Sequence, residues 1–393
     1  MKTSPRILHV ITAFDRGGAE NHLADLVRHQ AASGMEVTVA YLRGRGSLAA
    51  SVAAESVAVH RFALRFYGDP RPLSRLRQLI ANGGFHLVHA HLPPAELYVR
   101  LALLGTPGNA LPLVISKHND CPFHRVAGER LVDRWVSRRA AAMIVISDAV
   151  ARYMTARGVG QAPCRMETIH YGIDPTPFDQ VSSEETAQLR QAWGVHPDTL
   201  LVGFVGRLVS QKSIDVLIRA FAEFLRTSGC DAKLAIVGEG PLCAELQEFA
   251  AREGIADRVI WPGFREDVAA VMGAFDVFAL TSSFEGFGLV LIEAMAAGAP
   301  IVATRVSAIP EVVLDGETGL LAEPGSSEGI ARALTQLADP ALRRRLGLAG
   351  YERVRRHFTL ERMWRATDAV YEQALSTVPN RNFNPAALAP APG

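Results

Sequence analysis

Cysteine is scarce: four residues in 393, Cys121, Cys164, Cys230 and Cys243. Their spacing fits no zinc or disulfide framework, so a metal-stapled scaffold is excluded and a reduced, cytosolic protein is expected. Long hydrophobic runs are absent too. None reaches the ~18 residues of a membrane-spanning helix. The start, Met1-Lys2-Thr3-Ser4-Pro5-Arg6, lacks the apolar core and small-residue cleavage site of a signal peptide. No nucleic-acid recognition motif occurs, and basic residues are not interleaved with aromatics, so no nucleic-acid partner is expected.

What is present describes a globular enzyme of more than one domain. A length of 393 residues exceeds a single ordinary core. Hydrophobic residues make up 49% and charged residues 21%, an ordinary balance for a globular enzyme. The net charge of +1 hides an asymmetry. Residues 1–180 hold 21 Lys and Arg against 14 Asp and Glu, and residues 181–393 hold 20 against 26. The basic first half suits an anionic partner, such as membrane headgroups or a lipid diphosphate.

Short apolar runs alternate with helical patterns along most of the chain. Strands are expected at Arg6–Ile11, Val37–Tyr41, Leu87–His91, Leu113–Ser116 and Met143–Ser147. Gly172-Ile173-Asp174-Pro175-Thr176-Pro177-Phe178 interrupts the series with two prolines. A second series follows at Leu200–Val205, Lys233–Val237, Arg258–Trp261, Val277–Leu280 and Pro300–Thr304. Strand–helix alternation implies parallel, doubly wound sheets. The expected domains are 1–177 and 178–358, with a last helix at about 359–375 and a disordered tail at 376–393.

The stretch from Glu285 to Gly298 carries the sharpest pattern. Gly286 and Gly288 permit tight turns, Leu289–Ala297 are good helix formers, and Gly298 followed by Pro300 is a stop signal. One carboxylate therefore lies in a loop and the other, Glu293, inside the helix. The helix start between them offers N–H groups and a positive dipole end, suited to a diphosphate. Phe287 to Glu293 spans about 9 Å at 1.5 Å per residue, roughly the reach from a diphosphate to a ribose. On spacing alone, a buried helix whose acidic residues merely favour its dipole fits as well.

Other loops after expected strands carry polar chemistry. Arg16-Gly17-Gly18-Ala19-Glu20 can bring backbone amides to an anion, or be a plain turn. Ser116-Lys117-His118-Asn119-Asp120 sets a histidine just past a strand, where histidines are often structural. Gly206-Arg207-Leu208-Val209-Ser210-Gln211-Lys212 places two cations in one loop, able to neutralise a diphosphate or simply be solvated.

Together these loops resemble the retaining glycosyltransferases of the GT-B fold, family 4, also called glycosyl transferases group 1. The likeness runs from about Arg6 to Leu375. It rests on Ser283-Phe284-Glu285-Gly286-Phe287-Gly288 with Glu293-Ala294-Met295-Ala296-Ala297-Gly298-Ala299-Pro300, and on Val205-Gly206-Arg207-Leu208 with Lys212. It rests also on Pro310-Glu311-Val312-Val313 with Asp315-Gly316 and Thr318-Gly319-Leu320-Leu321, and on Gly17-Gly18-Ala19-Glu20. The resemblance implies an α/β fold of two Rossmann-like, doubly wound domains facing across a cleft. The last helix would return to the first domain.

It also implies roles. Arg207 and Lys212 would hold the diphosphate of a UDP- or GDP-sugar. Glu285 would bind sugar hydroxyls, and the backbone of Phe287, Gly288, Leu289 and Val290 would meet sugar and phosphate. Glu293 would bind the ribose diol, and Phe264-Arg265 the base. Gly17 and Gly18 would close over the phosphates, and His118 would lie near the reacting sugar. Transfer would retain the anomeric configuration, the departing phosphate taking the acceptor's proton. No Asp-x-Asp metal motif occurs, consistent with metal independence; no metal ligand and no cofactor beyond the donor is expected. Three positions depart from the family pattern: Ser213 where Gly is common after Lys212, His170-Tyr171-Gly172 where Asn-Gly is common, and Lys117-His118-Asn119 where two histidines are common.

The acceptor is less constrained. Arg125, Arg130, Arg134, Arg138 and Arg139 lie in or beside one helical stretch with Leu131, Trp135 and Val136. That pattern fits either a solvated helix with a core stripe or a basic amphipathic helix at an anionic lipid surface. The expectation is a lipid-linked or cell-envelope glycan acceptor at the inner face of the cytoplasmic membrane. The alternatives are a small soluble acceptor such as an aminocyclitol, a sugar-nucleotide epimerase of the same fold, and a non-catalytic nucleotide-sugar binding protein. Sequence leaves the oligomeric state open.

Overall fold

A computed structural model describes residues 4–105, 111–119, 128–161 and 164–376. Cys121, Arg125 and the tail from 377 onward lie outside the described residues. The chain forms two compact units, residues 1–171 with 361–393, and residues 172–360. The first break falls between Tyr171 and Gly172, where the proline-bearing stretch begins.

The first unit is built on seven strands: β1 (Arg6–Ala13), β2 (Glu36–Arg43), β3 (Ala58–Arg61), β4 (Leu87–His91), β5 (Leu113–Lys117), β6 (Ala142–Val145) and β7 (Arg165–Thr168). All pair in parallel, in the order β3-β2-β1-β4-β5-β6-β7. Strands covered on both faces read as near-continuous apolar runs. Ile7, Leu8, Val10 and Ile11 of β1 are accordingly fully buried. The strand order reverses direction between β1 and β4, so the loops after these strands flank the switch point. The helix Leu360–Ser376 reaches the same sheet, where the Tyr371 hydroxyl lies 2.6 Å from His89 Nδ1.

The second unit repeats the plan with β8 (Leu200–Val205), β9 (Ala232–Val237), β10 (Val259–Gly263), β11 (Val277–Leu280), β12 (Ile301–Thr304) and β13 (Gly319–Ala322). They are again parallel, in the order β10-β9-β8-β11-β12-β13. Here the switch point lies between β8 and β11. The helix Ile214–Ser228 buries Leu217, Ile218, Phe221 and Phe224. Each such side chain contributes roughly 1.5–3 kcal/mol on leaving water. Sequence periodicity did not resolve β3, β7 and β13. They are edge strands of four residues each, and β3 and β7 are largely uncovered. A strand with one neighbour and little burial carries no apolar run to betray it.

Candidate functional site

The two loops flanking the second switch point are the loop after β8, with Gly206, Arg207 and Lys212, and the loop after β11, with Ser282 to Gly288. Hydrogen bonds stitch them together. Ser283 N donates to Gln211 O (2.8 Å), Gln211 Nε2 to Phe284 O (3.0 Å), and Thr281 Oγ1 lies 3.1 Å from Lys212 O and 3.0 Å from Ser213 O. At the centre Lys212 Nζ meets Glu285 Oε2 at 2.5 Å, with Ser282 Oγ 3.3 Å from the same oxygen. Both charged side chains are mostly covered, at 15% and 12% exposure. The two charges thus answer each other across the paired loops.

The loop after β8 is shaped by close backbone approach. A Cβ on Gly238 would fall 2.0 Å from Gly206 O, and one on Gly240 2.3 Å from Leu208 O. Gly206 N donates to Val237 O (3.0 Å) and Leu208 N to Glu239 O (2.9 Å). Arg207 is pinned at its backbone while its side chain is exposed, and among the described residues it has no ion-pair partner.

The helix after the β11 loop runs Leu289–Ala296, with Gly288 at φ +88° before it and Gly298 at φ +78° beyond it. Both are left-handed positions that favour glycine. Among the described residues no side chain caps the start, and the first turn holds no acidic residue. The dipole end is therefore unanswered from within the helix. Phe287 points inward, is 2% exposed and packs edge-on to Phe358 at 5.7 Å, so only its backbone can meet a ligand. Leu289 and Val290 are half-buried. Glu293 is half-buried on the same helix, and burial pushes its carboxyl up to about 7. Phe264 is exposed just past β10, and Arg265 is clamped by Asp267 through two contacts of 2.8 and 2.5 Å. The second unit thus brings Lys212 and Glu285 into contact, holds Arg207 in the same loop as Lys212, and sets Phe264 and Arg265 past the end of another strand.

Ser213 explains its own departure from the family pattern. It sits at φ +44°, ψ +48°, between Lys212 and the helix Ile214–Ser228. A left-handed residue there is what a glycine would supply without strain.

In the first unit, Gly17 is extended (φ −174°) and precedes the helix Gly18–Ala32, where Asn21 N donates to Gly17 O at 2.8 Å. Nearby, the Asp15 carboxylate accepts from the backbone N–H groups of Arg45, Gly46 and Ser47, which ties the loop after β2 to the loop after β1. His118 lies at the end of β5 and is 6% exposed. Its Nδ1 is 2.5 Å from the Tyr171 hydroxyl and its Nε2 3.4 Å from His91 Nδ1. Burial holds its pKa well below the ordinary histidine value, so the ring is neutral. Lys117 beside it is buried, with Nζ 2.5 Å from Glu96 and 3.2 Å from Asp133. Its charge is answered internally and is not available to a phosphate.

Sequence reasoning passed over His9, His89 and His91. All three are fully buried in the central strands β1 and β4, and their nitrogens lie within 4.8 Å of one another. The signal was visible as polar residues interrupting otherwise apolar runs. On the helix Glu129–Ser137, Val136 is buried, whereas Leu131, Val132 and Trp135 are 68%, 40% and 36% exposed. Arg130 donates to Arg157 O, Arg139 to Leu111 O, and the Arg100 guanidinium stacks 4.5 Å over Trp135. Among the described residues, no helix is long and apolar enough to cross a membrane.

Two family models match the chain. Glycosyltransferase Family 4 covers residues 16–176, and Glycosyl transferases group 1 covers residues 185–353. The putative glycosyltransferase EpsF of Bacillus subtilis is 31% identical over 353 residues, which is 84% of this chain and 87% of EpsF. The N-acetyl-alpha-D-glucosaminyl L-malate synthase of Bacillus anthracis is 32% identical over 211 residues; the match spans 53% of this chain and only 54% of that enzyme. Among solved structures, Anabaena HepE in complex with UDP and glucose superposes with a TM-score of 0.81 at 23% identity, covering 93% of this chain and 99% of HepE. That likeness, with the two parallel α/β sheets, makes the fold GT-B. The chain belongs to glycosyltransferase family 4, the glycosyl transferases group 1.

Proposed function

We propose that the chain transfers a hexose from a nucleoside-diphosphate sugar to a hydroxyl acceptor, with retention at the anomeric carbon. The observation that carries this is the Lys212–Glu285 contact at the switch point of the second sheet. A donor diphosphate at the start of the helix Leu289–Ala296 competes with Glu285 for Lys212. Glu285 is then released to accept hydrogen bonds from sugar hydroxyls. Arg207 and Lys212 offset the charge that develops on the leaving diphosphate. Glu293 takes the ribose diol, the Phe264-Arg265 backbone the base, and the Phe287–Val290 backbone the sugar and phosphate. In the first unit, Gly17, Gly18 and His118 take the roles the family pattern assigns them toward phosphate and sugar. The acceptor oxygen bonds to the anomeric carbon as the bond to the diphosphate oxygen breaks. The acceptor proton passes to the departing phosphate oxygen, on the same face. The reading uses no metal ion and no carboxylate base.

UDP is the favoured nucleotide, because HepE binds UDP and glucose on this fold; a GDP-sugar is the alternative. For the acceptor, the basic first half and the exposed Leu131, Val132 and Trp135 favour a lipid-linked or cell-envelope glycan at an anionic membrane face. A small soluble acceptor is the second reading. The malate synthase relative supports it, since a basic domain also suits a small anion.

The test is sugar-nucleotide turnover with UDP-, GDP- and ADP-sugars, with and without a membrane lipid extract or L-malate. One nucleotide is expected to be released, and faster with acceptor. Lys212→Ala and Glu285→Ala are expected to lose at least ~100-fold while keeping the fold, with a lowered Tm because each leaves a mostly covered charge unpaired. Near-normal turnover in either variant would overturn the site assignment, and turnover indifferent to any acceptor would favour the epimerase reading.

A further inference from the structure

The buried histidines of the first sheet form a chain with a direction. His9 Nε2 lies 2.8 Å from Gln30 Oε1, and His9 Nδ1 lies 3.2 Å from His91 Nε2. His91 Nδ1 continues to His118 Nε2 at 3.4 Å, and His118 Nδ1 to the Tyr171 hydroxyl at 2.5 Å. Every imidazole in this series uses both nitrogens. A neutral imidazole has one N–H and one lone pair, so the state of one end dictates all the others.

The amide oxygen of Gln30 can only accept. His9 must therefore carry its proton on Nε2 and a lone pair on Nδ1. His91 then donates from Nε2 and accepts at Nδ1. His118 likewise donates from Nε2 and accepts at Nδ1, from the Tyr171 O–H. Each bond has one donor and one acceptor, with no ring doubly protonated. Burial agrees with neutral rings: the His9 pKa is lowered to about 4, and those of His91 and His118 lie well below the ordinary value. A charged ring would in addition place a positive charge in a fully buried site, which desolvation opposes.

We infer that the Gln30 side-chain oxygen fixes the tautomer of His118 through His9 and His91, making these three positioning residues for His118. Gln30 is fully buried, and its amide nitrogen has no hydrogen-bond partner among the described residues. An unpaired buried amide nitrogen costs about 1–3 kcal/mol. A leucine at this place would avoid that penalty, so the glutamine is best explained by what its oxygen does. The helix Gly18–Ala32 carries Gln30 near one end and the Gly17-Gly18 loop at the other.

The same rings invite a second reading, since His9, His89 and His91 have the spacing of metal ligands. The hydrogen-bonded chain is favoured over it. His89 is already held by Tyr371 at Nδ1 and Ser116 Oγ at Nε2 (2.7 Å). The cluster also contains no carboxylate among the described residues to offset a buried divalent charge.

The consequence for turnover rests on the placement of His118 at the reacting sugar. The tautomer itself does not, so two measurements separate the failures. The first is a long-range 1H–15N spectrum of the full chain labelled with 15N-histidine, signals being assigned by single substitutions. His9, His91 and His118 are expected as neutral Nε2–H tautomers. In Gln30→Leu the His118 signals should move toward the Nδ1–H form. In Tyr171→Phe they should stay, because the direction is set at the other end. His118 found as Nδ1–H in the wild type, a spectrum unchanged by Gln30→Leu, or a stoichiometric metal ion in the purified chain would each overturn the inference. The wild-type spectrum alone decides the direction should Gln30→Leu fail to fold. The second measurement is donor turnover, expected to fall about 10-fold in kcat with KM little changed in Gln30→Leu. A shifted tautomer with unchanged kcat would overturn the positioning role and place the fault in the assignment of His118 to the reaction centre.

Discussion

Ser213 and Glu293 show what individual side chains contribute to the second unit. Ser213 holds a left-handed conformation (φ +44°) next to Lys212. Such a conformation costs a non-glycine residue roughly 1–2 kcal/mol, and part of that is returned because glycine loses more chain entropy on folding. Ser213→Gly is therefore expected to stabilise the chain by about 0.5–1 kcal/mol, read as a small rise in Tm with unchanged turnover. A fall in Tm would mean that the hydroxyl matters more than the backbone.

Glu293 has a pKa raised by burial to about 7. An unfolded glutamate titrates near 4.3, so between pH 4.5 and 7 the folded state binds more protons than the unfolded state. Stability contributed by the protonated, buried form is present below this window and lost as pH rises through it, by at most about 4 kcal/mol. Diol binding runs the other way, because it needs the carboxylate. The KM for donor should rise as pH falls below 7 in the wild type, and this limb should vanish in Glu293→Gln, whose KM is uniformly high. The placement of Lys212 in the loop after β8, and of Glu285 and Glu293 in the loop and helix after β11, was legible in the sequence, because glycines and charges mark where each strand ends; the roles proposed for them come from the family resemblance. The cluster of His9, His89 and His91 was not legible, because it depends on the pairing of β1 with β4, two strands far apart in the chain.

At the scale of elements, the helix Leu289–Ala296 and its flanking glycines were legible, down to the left-handed Gly298. The apolar run, the helix formers and the Gly-Ala-Pro stop all agree there. The edge strands β3, β7 and β13 were not, since half-exposed strands of four residues carry no periodic signal. Nor was the backbone contact between the loops after β8 and β9 legible, where Gly238 and Gly206 touch. A Cβ at Gly238, itself at φ +132°, would lie 2.0 Å from the Gly206 carbonyl oxygen. Backbone cannot step aside as a flexible side chain does. Gly238→Ala should displace the Arg207 loop, lower Tm by several degrees and weaken nucleoside diphosphate binding about 10-fold. Unchanged affinity would show that the position of Arg207 is not critical to the phosphate.

For the molecule as a whole, two doubly wound sheets follow from alternating strand and helix patterns, and the charge asymmetry between halves follows from counting. The exposure of Leu131 and Trp135 did not follow, because an amphipathic pattern cannot say which apolar positions face outward. If the first unit docks on anionic membranes, the full chain should float with phosphatidylglycerol vesicles at low salt, detach at high salt, and lose binding in Leu131→Glu. Binding to neither kind of vesicle would favour a soluble acceptor.

We propose that the paired loops at the switch point of the second sheet hold a nucleoside diphosphate through Lys212. Calorimetric titration of UDP, GDP and ADP into the wild-type chain and into Lys212→Ala tests it most directly. One diphosphate, UDP on this account, should bind the wild type and lose at least 10-fold in affinity in the variant. Equal affinity in the two proteins, or no binding of any nucleoside diphosphate, would contradict it.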